Sequence, residues 1–354
     1  MQKKYILFLL IINVHLLSAQ SIIEPCQSGQ FLVDALQANY IPDSTLGYGP
    51  ARDTLYSKID NVGQELSGIY TGFTVTLESG RDPSVSAFQN ERGLNAEHVY
   101  PQSKGARNEP GRSDMHNLYP SKVNVNSARG SCIFGDIDDD DTEFWFVLGE
   151  QLSQMPTSNR DEYSEKDEES CVFEPRESVK GDIARAVFYF YTIYQRQADN
   201  AAPNFFDLQK ETLLAWHQKD PVDEKEIRRN ELIASYQGNE NPFVIDSTLA
   251  RRAFFEADAM FEEGSPNCIT TSSRDLEKEN WINLRNTIGR NGFYLQSNER
   301  DIKVTLVHPN GQIIQQQKFD YDTRLETSQI ENGYYFLVAQ KGKQKTVFKV
   351  IALK

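Results

Sequence analysis

The chain has 354 residues, which is long enough for one large domain and a smaller one that each bury a core. After residue 20 no run reaches the roughly eighteen apolar residues of a transmembrane helix, so a membrane-spanning protein is excluded. The formal net charge of −14 also argues against a polyanionic partner, unless the charges are unevenly distributed along the chain.

Residues 1–19 are predicted to be a signal peptide. Lys3 and Lys4 precede an apolar run that closes with the small residues Ser18 and Ala19, which is the pattern of a secretory signal. The mature protein is therefore expected to be soluble, exported through the periplasm, and either secreted or held at the cell surface.

The cysteines indicate two disulfides, because exported proteins meet an oxidising environment. Four cysteines permit three connectivities. Cys132 and Cys171 lie in one region while Cys26 and Cys268 flank it, so these two pairs are predicted. No Cys/His spacing typical of a zinc site is present.

The charges are concentrated in two neighbouring segments of opposite sign. Residues 92–130 carry six basic and three acidic side chains, whereas residues 136–177 carry fifteen acidic and three basic ones. The basic segment can meet a polyanion even though the whole chain is acidic. The acidic segment is predicted to be a solvated loop, and Ca²⁺ binding by its DIDDDDTE run is the alternative.

The basic segment, GLNAEHVYPQSKGARNEPGRSDMHNLYPSKVNVNSARG, also holds the candidate chemistry. His98 is a candidate general base, because a neutral imidazole accepts a proton near neutral pH. Glu97 and Asn126 offer one carboxylate and one amide oxygen, a sparse set that suits Mg²⁺ with several waters, and Mn²⁺ or Ca²⁺ are alternatives. Candidate phosphate donors are Arg107, Arg112 and Arg129.

Local geometry is needed to bring these residues together. Pro120 is predicted in the first turn of a short helix that projects Asn126 and Arg129 from one face. Glu97 and His98 are adjacent, so they share a site only where the strand is irregular or ends.

Each histidine also has a structural interpretation. A residue such as His98, taken alone, is more often structural than catalytic. His116 is interpreted as a packing or ligand-supporting residue. His217 is predicted to interact with a helix dipole.

Apolar periodicity predicts a helical second half for the first domain. The predicted helices are 178–197, capped by Ser178, then 206–218, 222–237 and 250–263, the last capped by Ser247. A polar linker follows at 264–280. Residues 281–354 have strand and turn patterns, with one hairpin at Asn310-Gly311 and another around Gly342. They are predicted to form a small antiparallel β-sandwich.

Residues 45–260 resemble the endonuclease I family of the His-Me finger (ββα-metal) superfamily. The resemblance is carried by AEHVYPQS and SDMHNLYPSKVNVNSARG, and continues through ARDTLYSKID, KGDIARAVFYF and LLAWHQKDPVDEKEIRRNELIASYQGNENPFV. It implies an α+β fold, a His-Me finger nuclease core with several helices across residues 20–263, followed by the β-sandwich.

The resemblance implies a non-specific endonuclease acting on DNA, RNA or both. In this family the histidine of the EHV motif activates water, which corresponds to His98. The preceding glutamate and the last asparagine of the helix motif hold one divalent cation, which corresponds to Glu97 and Asn126. The expected product carries a 5′-phosphate. The family also binds the cleaved phosphate with an arginine, and which of the three arginines does so stays open.

The last seventy or so residues resemble the C-terminal sorting domain of type IX secretion, with GQII and ENGYYFLVA in the usual order. This implies that the type IX secretion machinery is a partner, besides the nucleic-acid substrate. The protein is expected to be a monomer.

Two other classes of function compete with the nuclease. A nucleic-acid-binding module without catalysis needs the basic segment but not Glu97, His98 and Asn126 together. A surface adhesin needs exposed aromatic side chains in the loops of the β-domain, whereas Tyr334, Tyr335 and Phe336 follow a strand pattern that favours a core.

Overall fold

The computed structural model describes residues 22–260, 282–284, 288–289, 292–297, 299–308, 312–331, 333–342 and 344–352. The chain divides into two compact units, one before and one after residue 270. The predicted signal peptide and linker lie outside the described residues. In the described ranges, no helix has the length and apolar character needed to cross a membrane.

The first unit combines helices with short strands. Its α-helices are α1 (Gly29–Tyr40), α2 (Tyr48–Thr54), α3 (Pro83–Phe88), α4 (Val123–Arg129), α5 (Lys180–Ala201), α6 (Lys210–Lys219), α7 (Glu224–Gln237), α8 (Pro242–Ile245) and α9 (Leu249–Phe254). Its strands are β1 (Gln27–Ser28), β2 (Asn61–Val62), β3 (Glu65–Ser67), β4 (Thr74–Thr76), β5 (Leu94–His98), β6 (Leu118–Lys122), β7 (Ile133–Phe134), β8 (Phe144–Val147), β9 (Glu150–Leu152), β10 (Ser164–Asp167), β11 (Val172–Glu174) and β12 (Ala259–Met260).

Helix α5 is the centre of the main core. Its predicted apolar positions are all buried, and aromatic rings surround it, with Tyr191 stacked on Phe206 at 3.8 Å between ring centroids. The helix begins at Lys180, after a short 3₁₀ turn, so the predicted cap at Ser178 is wrong. Helix α7 ends as predicted at Gly238, whose φ of 86° is the left-handed conformation that favours glycine.

Strands β5 and β6 and helix α4 form a ββα unit. The two strands are antiparallel, with His98 opposite Leu118 and Leu94 opposite Lys122. Helix α4 follows β6 directly and carries Asn126, as predicted. Pro120 was expected in the first turn of this helix, but it lies within β6 opposite Ala96.

The acidic segment contains four strands of a sheet and is therefore not one solvated loop, although its DIDDDDTE run lies outside the strands. Strands β7 to β11 form one sheet in the order β7-β11-β10-β8-β9. The segment contains the apolar run of β8, where Trp145 and Phe146 are fully buried, and this burial outweighs the surrounding charge. The Ca²⁺ alternative gains no support, because the described residues contain no group of three or more metal-binding side chains.

The disulfide between Cys132 and Cys171 is present, as predicted. It links the end of the ββα unit to the β10–β11 hairpin of the acidic sheet. The second predicted pair includes Cys268, which lies outside the described residues.

The second unit is a β-sandwich. Its strands are β13 (Ile282–Leu284), β14 (Ile288–Gly289), β15 (Gly292–Ser297), β16 (Ile302–Val307), β17 (Ile313–Phe319), β18 (Asp322–Glu326), β19 (Gly333–Lys341) and β20 (Gln344–Ala352). They form a three-stranded and a five-stranded sheet, antiparallel except that β14 pairs with β20 in parallel.

Both predicted hairpins are present, as the pairs β16–β17 and β19–β20, although Asn310 and Gly311 themselves lie outside the described residues. Tyr335 is buried while Phe336 is 40% exposed, as alternation along a strand requires.

Candidate active site

The ββα unit places Glu97 and His98 together at the end of β5. His98 is the last residue of the strand, and the chain then turns so that the Val99 amide donates to the Asn117 carbonyl at 3.0 Å. Both side chains are buried, with exposed fractions of 2% for Glu97 and 6% for His98. His98 is thus at a strand end, the condition under which two adjacent residues can serve one site.

Buried polar residues fix the loop between the two strands. The Asp114 carboxylate accepts hydrogen bonds from the hydroxyls of Tyr189 and Tyr194, both at 2.7 Å, which ties the loop to α5. The Asn117 side chain accepts from the Tyr100 amide at 2.7 Å and donates to the Tyr100 carbonyl at 3.1 Å. His116 is a packing residue, with Nε2 donating to the Asn239 carbonyl at 3.0 Å. Asp114 and Asn117 therefore hold the segment that follows His98 in place.

The hydrogen bonds of His98 define its tautomer. Nε2 lies 2.9 Å from the Arg112 carbonyl oxygen, which can only accept, so Nε2 carries the proton. Nδ1 then has the lone pair, and it accepts from the Gln102 amide at 3.3 Å. Tyr48 stacks on the imidazole at 5.4 Å. Burial lowers the pKa of His98 to about 4, so the ring is neutral near neutral pH and Nδ1 can accept a proton.

Glu97 is held by two buried partners. Its Oε1 accepts from the Tyr70 hydroxyl at 2.6 Å and lies 3.2 Å from Nη1 of Arg129. Burial raises the pKa of Glu97, whereas Arg129 and the Tyr70 hydrogen bond act in the opposite direction. Both partners contact the same oxygen, Oε1. Among the described residues none makes a hydrogen bond to Oε2, so this oxygen keeps its lone pairs for a further ligand.

Asn126 is oriented by its amide nitrogen. Nδ2 donates to Asn95 Oδ1 at 2.8 Å and to the Ala96 carbonyl at 3.2 Å, both on β5. These are the hydrogen bonds of this side chain in the described structure, and they leave the amide oxygen Oδ1 for a cation.

The donor set fits one hard divalent cation. It offers a carboxylate oxygen of Glu97 and an amide oxygen of Asn126, which are the ligand types that Mg²⁺ takes while keeping several waters. A zinc site takes three or four ligands from Cys, His, Asp and Glu, and the described residues contain no such group.

The three candidate arginines occupy different environments. Arg129 is fully buried, and its guanidinium donates to the carbonyls of His98 at 3.2 Å and Val99 at 2.6 Å. Arg112 is exposed, with its guanidinium 4.9 Å from the centre of the Tyr48 ring and hence beside His98. Arg107 is exposed in the loop before Arg112. The structure thus brings Arg112 near His98 and buries Arg129 against Glu97.

Comparison with known proteins assigns the chain to a family. Residues 32–248 match the family model described as Endonuclease I. The chain belongs to the Endonuclease I family. It is therefore a nuclease, and the ββα unit is the His-Me finger that the sequence predicts. Residues 289–353 match the model described as Secretion system C-terminal sorting domain, so this nuclease is exported and is secreted or held at the cell surface.

Several extracellular nucleases are similar to this Endonuclease I family member. An extracellular ribonuclease of Bacillus subtilis (strain 168) is 35% identical over 258 residues, which are 62% of this chain and 82% of that protein. One of Bacillus amyloliquefaciens is 37% identical over 166 residues, 42% of this chain and 50% of that protein. An extracellular deoxyribonuclease of Aeromonas hydrophila is 31% identical over 131 residues, 37% of this chain and 48% of that protein. The chain thus spans about half of the latter two relatives.

Four residues around Glu97 and His98 are not predicted from the sequence: Tyr48, Arg52, Tyr70 and Gln102. Both Tyr48 and Arg52 lie on α2. Arg52 is within the ARDTLYSKID motif and Tyr48 just precedes it, and this motif carries the family resemblance without indicating a catalytic role. His217 lies in the last turn of α6, as predicted, where it is buried and Nε2 donates to the Ser247 carbonyl at 2.9 Å. Its interaction with the helix dipole stays a prediction.

Proposed function

We propose that this nuclease is a non-specific endonuclease that hydrolyses phosphodiester bonds of DNA and RNA with one divalent cation, and leaves 5′-phosphate ends. The observation that carries the proposal is the tautomer of His98. Nε2 donates its proton to the Arg112 carbonyl, so Nδ1 keeps the lone pair that a general base needs.

His98 acts on water in this mechanism. Nδ1 takes a proton as the water oxygen forms a bond to phosphorus, and the bond from phosphorus to the 3′ oxygen breaks. Because Nε2 is held at 2.9 Å from a backbone carbonyl, the charge that the imidazole gains is stabilised without rotation of the ring. The Gln102 amide, 3.3 Å from Nδ1, shows that a donor can approach the lone pair.

Glu97 and Asn126 would hold the cation, here proposed to be Mg²⁺. When bound, it supplies positive charge for the phosphate and for the leaving 3′ oxygen. Tyr70 and Arg129 position the Glu97 carboxylate, and Asn95 positions the Asn126 amide. Mn²⁺ or Ca²⁺ could use the same oxygens, and the metal requirement is part of the test below.

Arg112 is proposed to bind the phosphate that is cut. Its guanidinium is exposed and lies beside the base, where a planar cation can make paired hydrogen bonds to phosphate oxygens. Arg129 has the same chemistry, but its amino groups are used on backbone carbonyls in a fully buried setting. We assign Arg129 a positioning role for that reason. Arg107 is exposed further along the loop and stays a secondary candidate.

The proposal of both polymers as substrates rests on the relatives, which include proteins named as ribonucleases and as deoxyribonucleases. Water is the nucleophile in the mechanism, so a 2′-hydroxyl is not needed. The mature protein is proposed to act as a monomer, and the type IX secretion machinery is its proposed partner in export.

The test uses purified mature protein with supercoiled plasmid and with single-stranded RNA, in Mg²⁺, Mn²⁺, Ca²⁺ or EDTA. We expect cutting of both polymers in Mg²⁺ and none in EDTA. The ends are then labelled with polynucleotide kinase, and labelling should require prior phosphatase treatment. RNA ends that are labelled without phosphatase would indicate attack by the 2′-hydroxyl and contradict the mechanism.

A further inference from the structure

A pocket of about 280 Å³ lies beside β5, and the proposed function assigns no ligand to it. Its volume is slightly below the range of about 300–1,000 Å³ for drug-sized ligands, so it suits a fragment of the size of one nucleoside. The residues that form its wall and rim include Arg52, Tyr56, Val85, Phe88, Asn90 and Asn95.

Two short bridges join this pocket to the active site. Asn95 lines the pocket, and its Oδ1 accepts the 2.8 Å hydrogen bond that orients the Asn126 amide. On the other side, the Arg52 guanidinium lies 5.5 Å from the centre of the Tyr48 ring, which stacks on His98. The pocket is therefore one residue away from a proposed cation ligand and one ring away from the base.

The pocket offers an apolar surface together with polar groups. Val85 and Phe88 line the pocket from α3 and are 51% and 37% exposed, so both present apolar surface to a ligand. Arg52 is fixed by a hydrogen bond from Nε to Ser84 Oγ at 2.6 Å, which leaves its amino groups for an anion. Asn90 supplies an amide with both a donor and an acceptor at the rim.

The rim is held in an uncommon backbone conformation. Gln89, Asn90 and Glu91 have φ values of 48°, 55° and 69°, three consecutive non-glycine residues in the left-handed region. The turn packs closely on α3, because a Cβ added at Gly93 would meet the Ala87 carbonyl oxygen at 2.0 Å. Strained segments of this kind persist where the surrounding structure imposes them, and they concentrate at ligand sites.

We propose that this pocket is a subsite for one unpaired nucleobase of the substrate, in the nucleotide next to the phosphate that is cut. Phe88 provides the stacking surface, Asn90 contacts the base edge, and Arg52 meets a neighbouring phosphate. Stacking on an aromatic ring accepts any base, which agrees with a non-specific enzyme. A base in an intact duplex is stacked and paired, so the subsite favours single-stranded substrates. The inference rests on the proposed function.

The experiment uses oligonucleotides with one cleavable phosphodiester between nuclease-resistant phosphorothioate linkages, which keep the negative charge of the neighbouring phosphates. The nucleotide on the 5′ or the 3′ side of the cleavable bond is either intact or abasic. For wild type, we expect kcat/KM to fall about tenfold when the base on one of the two sides is removed, the size of one lost aromatic–base stack. For Phe88→Ala, the intact and abasic substrates should be cut at equal rates.

Two further variants control for folding and for surface effects. Phe88→Trp keeps an aromatic ring and should keep the difference between intact and abasic substrates. Phe31→Ala removes a phenylalanine of similar exposure, 45%, on α1 away from the pocket, and should behave as wild type.

The proposal is overturned if Phe88→Ala keeps the wild-type ratio of kcat/KM between intact and abasic substrates, whether or not both are cut more slowly. It is also overturned if the wild type cuts intact and abasic substrates at the same rate while it degrades plasmid and RNA, and this outcome leaves the proposed function standing. A wild type that cuts nothing in Mg²⁺ overturns both.

Discussion

The Tyr70 hydroxyl should be needed for cation binding although it touches neither water nor substrate in the mechanism. It donates a 2.6 Å hydrogen bond to Glu97 Oε1, and both side chains are buried, with exposed fractions of 0% and 2%. A hydrogen bond to a charged group contributes about 1.5–3 kcal/mol, and loss of a group that orients a metal ligand typically weakens metal affinity by about 10–100-fold.

The variant Tyr70→Phe removes only this hydroxyl. We expect its free energy of unfolding to fall by about 1.5–3 kcal/mol in urea denaturation. In a titration of plasmid cleavage, the Mg²⁺ concentration for half-maximal rate should rise by about tenfold or more. The rate at saturating Mg²⁺ should fall less than it does when His98 is replaced, because the base is untouched.

Tyr100→Phe is the matched control. The Tyr100 hydroxyl is also buried but has no hydrogen-bond partner in the described part of the chain. Its removal should leave stability and the Mg²⁺ titration close to wild type. If Tyr70→Phe shows the wild-type Mg²⁺ titration, then Tyr70 does not position a cation ligand, and the assignment of Glu97 is wrong.

Three other perturbations give separate expectations. Replacing both Cys132 and Cys171 by serine opens a link across 39 residues and should lower the free energy of unfolding by about 4 kcal/mol in urea; an unchanged midpoint would contradict this. Arg112→Ala should lower kcat/KM for plasmid by about 10²-fold, whereas Arg107→Ala should stay near wild type, and the reverse order would exchange their roles. Burial raises the pKa of Asp182 from 3.8 to about 8, so between pH 4 and 8 the folded protein keeps a proton that the unfolded chain releases. The folded wild type therefore loses stability as the pH rises through this range. In thermal melts, Asp182→Asn should therefore gain in Tm over wild type with rising pH, and a constant difference would refute the assignment.

The sequence was sufficient for the parts of the fold that depend on local periodicity. Helix α5 shows its apolar positions at three- and four-residue intervals, and α7 ends at a glycine that permits the left-handed turn. The paired hairpins of the second unit follow from alternation and turn residues. The ββα unit could be predicted from the sequence because its residues are close along the chain.

The errors have identifiable physical causes. Charge alone favours a loop for the acidic segment, but the tertiary structure buries the apolar run of β8 and makes it a strand. Pro120 fits the first turn of a helix by propensity alone, but pairing with β5 places it in a strand. Propensity is a weak prior where such long-range packing decides.

The residues around the candidate site that the sequence did not predict are placed there by long-range contacts, which no sequence pattern shows. Tyr70 reaches Glu97 across 27 positions, and Tyr48 reaches His98 from a separate helix. Arg129 illustrates the converse, because its residue type suits phosphate binding while its burial assigns it to the backbone around His98. Residue type alone therefore makes all three arginines candidates for phosphate binding, and only their burial and contacts distinguish their roles.

The central claim is that His98 is the general base, and single-turnover cleavage of plasmid by wild type and His98→Ala tests it most directly. Binding of plasmid to both proteins is measured in EDTA by gel shift, so that affinity and chemistry are separated. We predict that His98→Ala binds as wild type does and cuts more slowly by about 10²–10⁴-fold, the usual contribution of a general base. Equal cutting rates in Mg²⁺ would show that another group activates water and would remove His98 from the mechanism.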